Sequence, residues 1–279
     1  MEQSKFNFTS LRPGLERAGL MALCLLVFDI ASTGSGRYLT IGWLSPRIVL
    51  AAVCFLCALP LFLTDIRRQI RNPLYCFLLA FLIWTAFEAV RGYQAGNNFE
   101  VWKGDIKGFA WLALFPLAEV LVRDKKDRRK LTNFALAGAG VQVGLCVLFN
   151  ILFAGIVPDA LPSFVERIWE ATWGTILACE YNAVRIFCRS SLYMAVACVL
   201  LLGRLTLAKG KQAVWYAALF LLNFFALFYT YTRSVYLCLA IGLAIAFICL
   251  AVRFGFRRVL LRSLALAGCF LLLSFPQLI

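Results

Sequence analysis

The chain has 279 residues, 62% hydrophobic and 15% charged, with a mean hydropathy of +0.83, 28 Lys+Arg against 14 Asp+Glu, and no histidine. Soluble domains run about 45–50% apolar and about 25% charged, so this composition excludes a water-soluble fold and points to an integral membrane protein. The basic residues sit in short turns between apolar runs and not on one solvated surface, which argues against nucleic acid as a partner, and the missing histidine excludes a Ser-His-Asp triad, a Cys-His pair and His-held haem or zinc within the chain.

Apolar windows of about 20 residues, the length a bilayer requires, fall in chain order at 17–34, 45–64, 73–90, 106–122, 131–157, 190–208, 213–231, 235–252 and 259–275. They predict an all-α polytopic membrane protein of about nine transmembrane helices, forming a single domain over residues 1–279. The first window carries Asp29, lacks a small-residue cleavage site and opens a series of further spans, so it reads as a span and not as a signal peptide. No motif returns at a fixed period.

Orientation follows from Lys and Arg, which short cytoplasmic loops retain. With the N-terminus inside, the inner segments hold nineteen of the 28 basic residues and six of the 14 acids, a net +13, while the outer segments hold nine and eight, a net +1. Every inner turn is then basic, and the last span runs outward to an external C-terminus.

Most of the eleven cysteines lie within apolar windows, where Cys packs as a small hydrophobe. Cys54 and Cys57 have CxxC spacing without a second pair and read as packing; Cys179 and Cys188 share an external segment and read either as a disulfide or as a reduced pair. Asp29 and Glu88 near outer span ends and Glu119 near an inner end are intramembrane carboxylates, functional candidates by default. Pro116, Gly138, Gly140 and Gly144 read as a kink and as close helix packing.

Polar groups that topology does not require lie on the outer side. The segment 91–107 mixes Gly, Asn, carboxylates and cations. The longest external segment, 158–189, begins with Ser163 and Glu166 at capping-box spacing, followed by Phe164, Val165, Ile168, Trp169, Thr172 and Trp173 at helical spacing. This predicts a short amphipathic helix in the outer interface, anchored by its two tryptophans.

Arg185 and Arg189 follow four residues apart. If the next span extends one turn outward, they share a helix face, where like charges repel unless an anion lies between them. Arg233 stands in a tight external turn, Thr230-Tyr-Thr-Arg-Ser-Val, at headgroup depth, where an arginine is costly without a partner. Guanidinium forks match phosphate oxygens, so Arg185, Arg189 and Arg233 suit a pyrophosphate at the outer leaflet. The same residues also suit snorkelling to water or lipid phosphate.

At residues 230–242 (TYTRSVYLCLAIG) the chain resembles the bacterial O-antigen ligase and O-antigen polymerase superfamily, whose signature is a T-x-S-R-G-like turn opening a helix rich in small residues. Arg233 matches the arginine, while Thr232 and Ser234 stand where Ser and Gly are usual. The Arg185 stretch before the 190–208 span, and the Gly/Asn/Asp segment and following helix at 91–122, are further points of likeness. The resemblance implies a GT-C-like, metal-independent glycosyltransferase of the bacterial cytoplasmic membrane, needing no cofactor. Its partners would be a polyprenyl-diphosphate-linked glycan as donor, a lipid or glycan acceptor and membrane lipids.

In that reading an acceptor hydroxyl attacks the anomeric carbon at the external face and expels the lipid diphosphate. Arg185, Arg189 and Arg233 bind the diphosphate, and Glu180 or Asp105 serves as general base. Members of the family are usually longer, with further spans and a large external loop in which ligases carry a histidine. The expectation is therefore a fragment, a truncated homologue or a polymerase-like relative. A lipid-linked glycan flippase or transporter, which would need a polar path through the bilayer, and an inactive truncated scaffold are the alternatives.

Overall fold

A chain that enters lipid must satisfy its own backbone N–H and C=O groups, and helices do so segment by segment. A computed structural model describes residues 8–33, 45–64, 66, 71, 73–96, 114–153, 176–180, 183–187, 191–228, 230 and 232–278. Among these it holds nine helices: α1 (Phe8–Thr33), α2 (Pro46–Thr64), α3 (Pro73–Gln94), α4 (Leu114–Leu121), α5 (Lys125–Phe153), α6 (Ser191–Leu207), α7 (Lys211–Phe228), α8 (Arg233–Phe254) and α9 (Phe256–Leu278). A two-stranded antiparallel hairpin, β1 (Ile176–Glu180) and β2 (Ala183–Phe187), stands between α5 and α6, with a register running from Ile176 opposite Phe187 to Glu180 opposite Ala183.

Among the described residues, five helices are long and apolar enough to cross a membrane: α2, α3 from Tyr75, α5 to Leu148, α7 and α8. The other apolar windows coincide with helices that differ for separate reasons. α1 carries Glu16, Arg17 and Asp29 along its length. α6 has 17 residues, about 25 Å at 1.5 Å per residue. The described part of α4 is eight residues, and the side chains of α9 beyond Phe270 lie outside the described residues.

The described residues are otherwise helical, in line with the all-α expectation, and the hairpin is an addition to it. Ile176, Val184 and Ile186 are β-branched residues flanking a two-residue connection that contains Asn182, a combination that favours strands closed by a tight turn.

The chain divides into two compact units, Met1–Leu26 with Pro46–Leu131, and Val27–Ser45 with Thr132–Ile279. In the first, Gly19 lets α1 lie close to α2 and α4: a Cβ there would stand 2.7 Å from Leu121 Cδ2 and 2.9 Å from Cys57 Cβ. Cys54 and Cys57 are free thiols buried on that face with Ala58 and Leu61. The Cys54 thiol donates to the Gly19 carbonyl at 3.7 Å. Glu16 Oε1 receives both Arg12 Nε at 3.1 Å and Arg123 Nη1 at 3.0 Å. Charges that topology alone would explain thus also tie α1 to the end of α4.

The second unit is built around α6. Nine of its residues are buried, including Met194, Cys198, Leu201 and Leu205 at helical spacing. They meet Val143 and Cys146 of α5, Phe220 and Leu227 of α7, Val235 and Leu239 of α8, and Leu266 of α9. A helix so enclosed faces protein and little lipid, which removes the need to match the full bilayer thickness. At its C-terminus the Arg262 guanidinium donates to the carbonyls of Leu205 and, at 3.0 Å, Ala208, closing orphan acceptors of the last turn. Gly138 sits where α1 crosses α5, its missing Cβ leaving room for the Phe28 carbonyl oxygen, which would be 2.5 Å away.

The outward faces are apolar. Along α8, Leu237, Ile241, Ile245, Ile248 and Val252 form an exposed stripe, and on α3 Phe77, Ile83, Trp84 and Phe87 do the same. In the five crossing helices only 6% to 28% of the apolar window is buried within the protein. Surfaces of this kind aggregate in water and are at home in hydrocarbon, so the chain is a membrane protein. α8 passes into α9 through Gly255 alone, at φ +91°, its N–H bonded to the Ala251 carbonyl at 3.0 Å. A residue with a Cβ rarely adopts that backbone.

Candidate functional site

The tight turn between α7 and α8 is held by side chains of its own sequence. Thr230 is fully buried, and its hydroxyl donates to the Leu227 carbonyl at 2.7 Å. The Thr232 hydroxyl donates backward to the Thr230 carbonyl at 3.0 Å. Tyr236, one turn into α8, donates its hydroxyl to the Phe228 carbonyl at 2.5 Å and stacks on the Phe228 ring, 6.1 Å between centroids.

Thr232 is the N-cap of α8, with extended backbone, but its hydroxyl makes no bond to the amides of the first turn. The first amides of a helix have no partner within it and carry its positive pole. Arg233 and Ser234, the first two residues of α8, are both exposed at that end. A guanidinium fork beside an uncapped helix N-terminus is an arrangement suited to oxyanions.

An apolar cavity of about 510 Å³ opens among α6, α7, α8 and α9, its wall including Phe220, Phe224, Leu243, Phe247 and Phe270. Phe270 meets Phe224 edge-on at 4.7 Å and Phe228 at 6.4 Å, and Phe228 in turn stacks on Tyr236. A continuous row of rings therefore leads from the Arg233 turn to the cavity.

The other predicted site residues fall elsewhere. Arg185 lies on β2 opposite Ala178, and α6 begins only at Ser191. The expectation that Arg185 joins Arg189 on an outward extension of that helix is thereby corrected: local β-branched residues place it in a strand. Glu180 ends β1 opposite Ala183. The side chains of Arg185 and Glu180 lie outside the described residues, as do Arg189 and Asp105, and so do Ser163, Glu166, Trp169 and Trp173 of the predicted amphipathic helix, together with Cys188. Arg233 is thus the one predicted arginine whose surroundings are described.

The Glu119 and Glu88 carboxylates each meet a nearby side chain. Glu119 accepts the Tyr75 hydroxyl. Glu88 pairs with Arg91 of its own helix at 3.4 Å, an exposed pair. Asp29 is half-buried, its backbone carbonyl receiving the hydroxyls of Ser32 at 3.1 Å and Thr33 at 2.7 Å.

Sequence reasoning missed a second, more polar pocket of about 410 Å³ between α5, α6 and α7. Arg204 Nη2 donates to Asn133 Oδ1 there at 2.6 Å, and its Cζ stands 5.9 Å from the Tyr216 ring centroid. Asn223, 4% exposed, donates Nδ2 to the Leu219 carbonyl at 3.0 Å, while its Oδ1 is buried with no hydrogen-bond partner among the described residues. The available signal was Asn223, the one amide in the 213–231 window, with Asn133 near the start of the 131–157 window. Comparison with protein-family models, with curated proteins and with solved structures finds no match to this chain.

Proposed function

We propose that the chain is a multi-pass membrane glycosyltransferase of the O-antigen ligase or polymerase type. It spans the membrane nine times with its N-terminus in the cytoplasm and works at the external face. It transfers or polymerises glycan from a polyprenyl-diphosphate donor. The observation that carries this reading is Arg233, exposed at the uncapped N-terminus of α8 and joined by a row of rings to an aromatic-walled cavity. An anionic head with a long apolar tail suits both parts at once.

The chemistry asks little more of the protein. As the acceptor hydroxyl attacks the anomeric carbon, the carbon–oxygen bond to the diphosphate breaks and negative charge grows on the leaving oxygens. Donors fixed beforehand at that place stabilise the transition state more than the ground state. Arg233 and the first amides of α8 are such donors, with Arg185 and Arg189 as further cations of the clamp and Glu180 or Asp105 as the base that takes the hydroxyl proton.

Removal of one such donor typically slows a reaction about 10²–10³-fold. Arg233→Ala, expressed in cells at the parental protein level, should therefore shorten or abolish the surface glycan, scored by chain length on gels. Arg233→Lys, which keeps the charge and loses the fork, should retain part of it. Unchanged glycan in Arg233→Ala at equal protein would sink the proposal, and lipid-linked donor accumulating on the inner leaflet would point to a flippase instead.

A further inference from the structure

From residue 181 to residue 279 the chain has ten Lys or Arg and no Asp or Glu. Several of these cations gather where α6 ends and α7 begins: Arg204 in the last turn of α6, exposed Lys209 and Lys211, and Arg262 on the α6 carbonyls. Their counter-charge must come from beyond this stretch of chain. The pocket between α5, α6 and α7 reaches that end through Arg204. Arg204 lines it with one guanidinium nitrogen on Asn133 and the fork beside the Tyr216 ring. One bond to Asn133 leaves most of the five guanidinium N–H groups for an anion.

Away from Arg204 the lining is apolar through Leu136, Ala137, Leu201 and Leu219. Gly140 lines this stretch, and a Cβ built there meets nothing within 4 Å, so its surface is open slot and not helix contact. Asn223 lies seven residues beyond Tyr216 on α7, about 10 Å deeper, its side chain closing the inner end of the lining. A volume of about 410 Å³ is within the roughly 300–1,000 Å³ of small-molecule sites.

We propose that this pocket binds an anionic amphiphile bearing a phosphate, with the phosphate on Arg204 and the chain lying along Gly140. Basic pockets between transmembrane helices take lipid phosphates by the same electrostatics. The soluble form of the same chemistry, a free phosphate ester, lacks the chain that the Gly140 slot fits. This site is separate from the Arg233 turn and does not depend on the function assigned to it.

The test is equilibrium binding of radiolabelled 16-carbon lysophosphatidic acid to the whole chain in phosphatidylcholine nanodiscs, with glycerol 3-phosphate, which lacks the chain, as competitor. It should compete more weakly than unlabelled lysophosphatidic acid, by about tenfold or more. Arg204→Ala should weaken binding about 10- to 100-fold, the worth of a charge-assisted hydrogen bond, whereas Arg253→Ala, an exposed arginine elsewhere on α8, should leave it unchanged. Gly140→Leu guards against misfolding as an explanation, because it meets no neighbour yet should block the slot. Glycerol 3-phosphate competing as well as the lipid, or parental affinity in Arg204→Ala and Gly140→Leu, would overturn the proposal.

Discussion

Thr232 turns its hydroxyl back on the chain it has just left, and the first amides of α8 consequently receive no side-chain cap from it. Tyr236 holds the same turn from the other side through its bond to the Phe228 carbonyl. Tyr236→Phe removes that bond and keeps the stacked ring, so it should lower stability by about 1 kcal/mol, read as an earlier thermal midpoint in detergent. Its effect on glycan transfer should be smaller than that of Arg233→Ala, because the cation remains. Arg233 was legible in the sequence as a cation that topology does not need. Its uncapped helix end was not legible, because Thr232 is an ordinary capping residue and only the fold reveals which way its hydroxyl points. Asn223 was illegible for a similar reason: one amide in an apolar window becomes informative only once its oxygen is seen to be buried and unpartnered.

Among the elements, apolar windows located every described helix, and they gave its role less well. α6 is shorter than the bilayer is thick, yet it forms the centre of its unit, a property of what surrounds it and not of its own hydropathy. The hairpin escaped because the Arg185 and Arg189 spacing also fits a helix; the competing signal was the β-branched residues around Asn182. Three glycines of α5 looked alike in sequence and differ in space. Gly138 faces the Phe28 carbonyl, whereas Gly140 and Gly144 meet nothing within 4 Å. Gly138→Leu should therefore force α1 away from α5 and cost roughly 1–3 kcal/mol, while Gly144→Leu should be neutral or slightly stabilising through better helix propensity. Thermal unfolding of the two variants side by side checks this, and equal midpoints would mean that α1 does not lie against Gly138.

For the whole molecule, charge and lipid contact act together. The exposed apolar stripes of α3 and α8 set the chain in a bilayer, and α8, with 22 residues, separates Arg233 from the Arg253 end by about 33 Å. With cytoplasmic retention of the basic turns, a cysteine introduced at Ser234 in a cysteine-free background should react with an impermeant maleimide from outside the cell. Cysteines at Lys209 and Arg257 should react only after the cytoplasmic face is opened. Labelling of Ser234→Cys and Arg257→Cys from the same side would contradict the proposed orientation.

The one-residue reversal at Gly255 also bears on how the chain is made. α8 is the most apolar of the five crossing helices, while α9 starts with Arg257, Arg258 and Arg262 and packs against α8 directly. No length of loop separates the moment one helix leaves the ribosome from the moment the next begins. With the orientation proposed above, α8 and α9 should enter the bilayer as one unit, the arginines of the link staying on the cytoplasmic side.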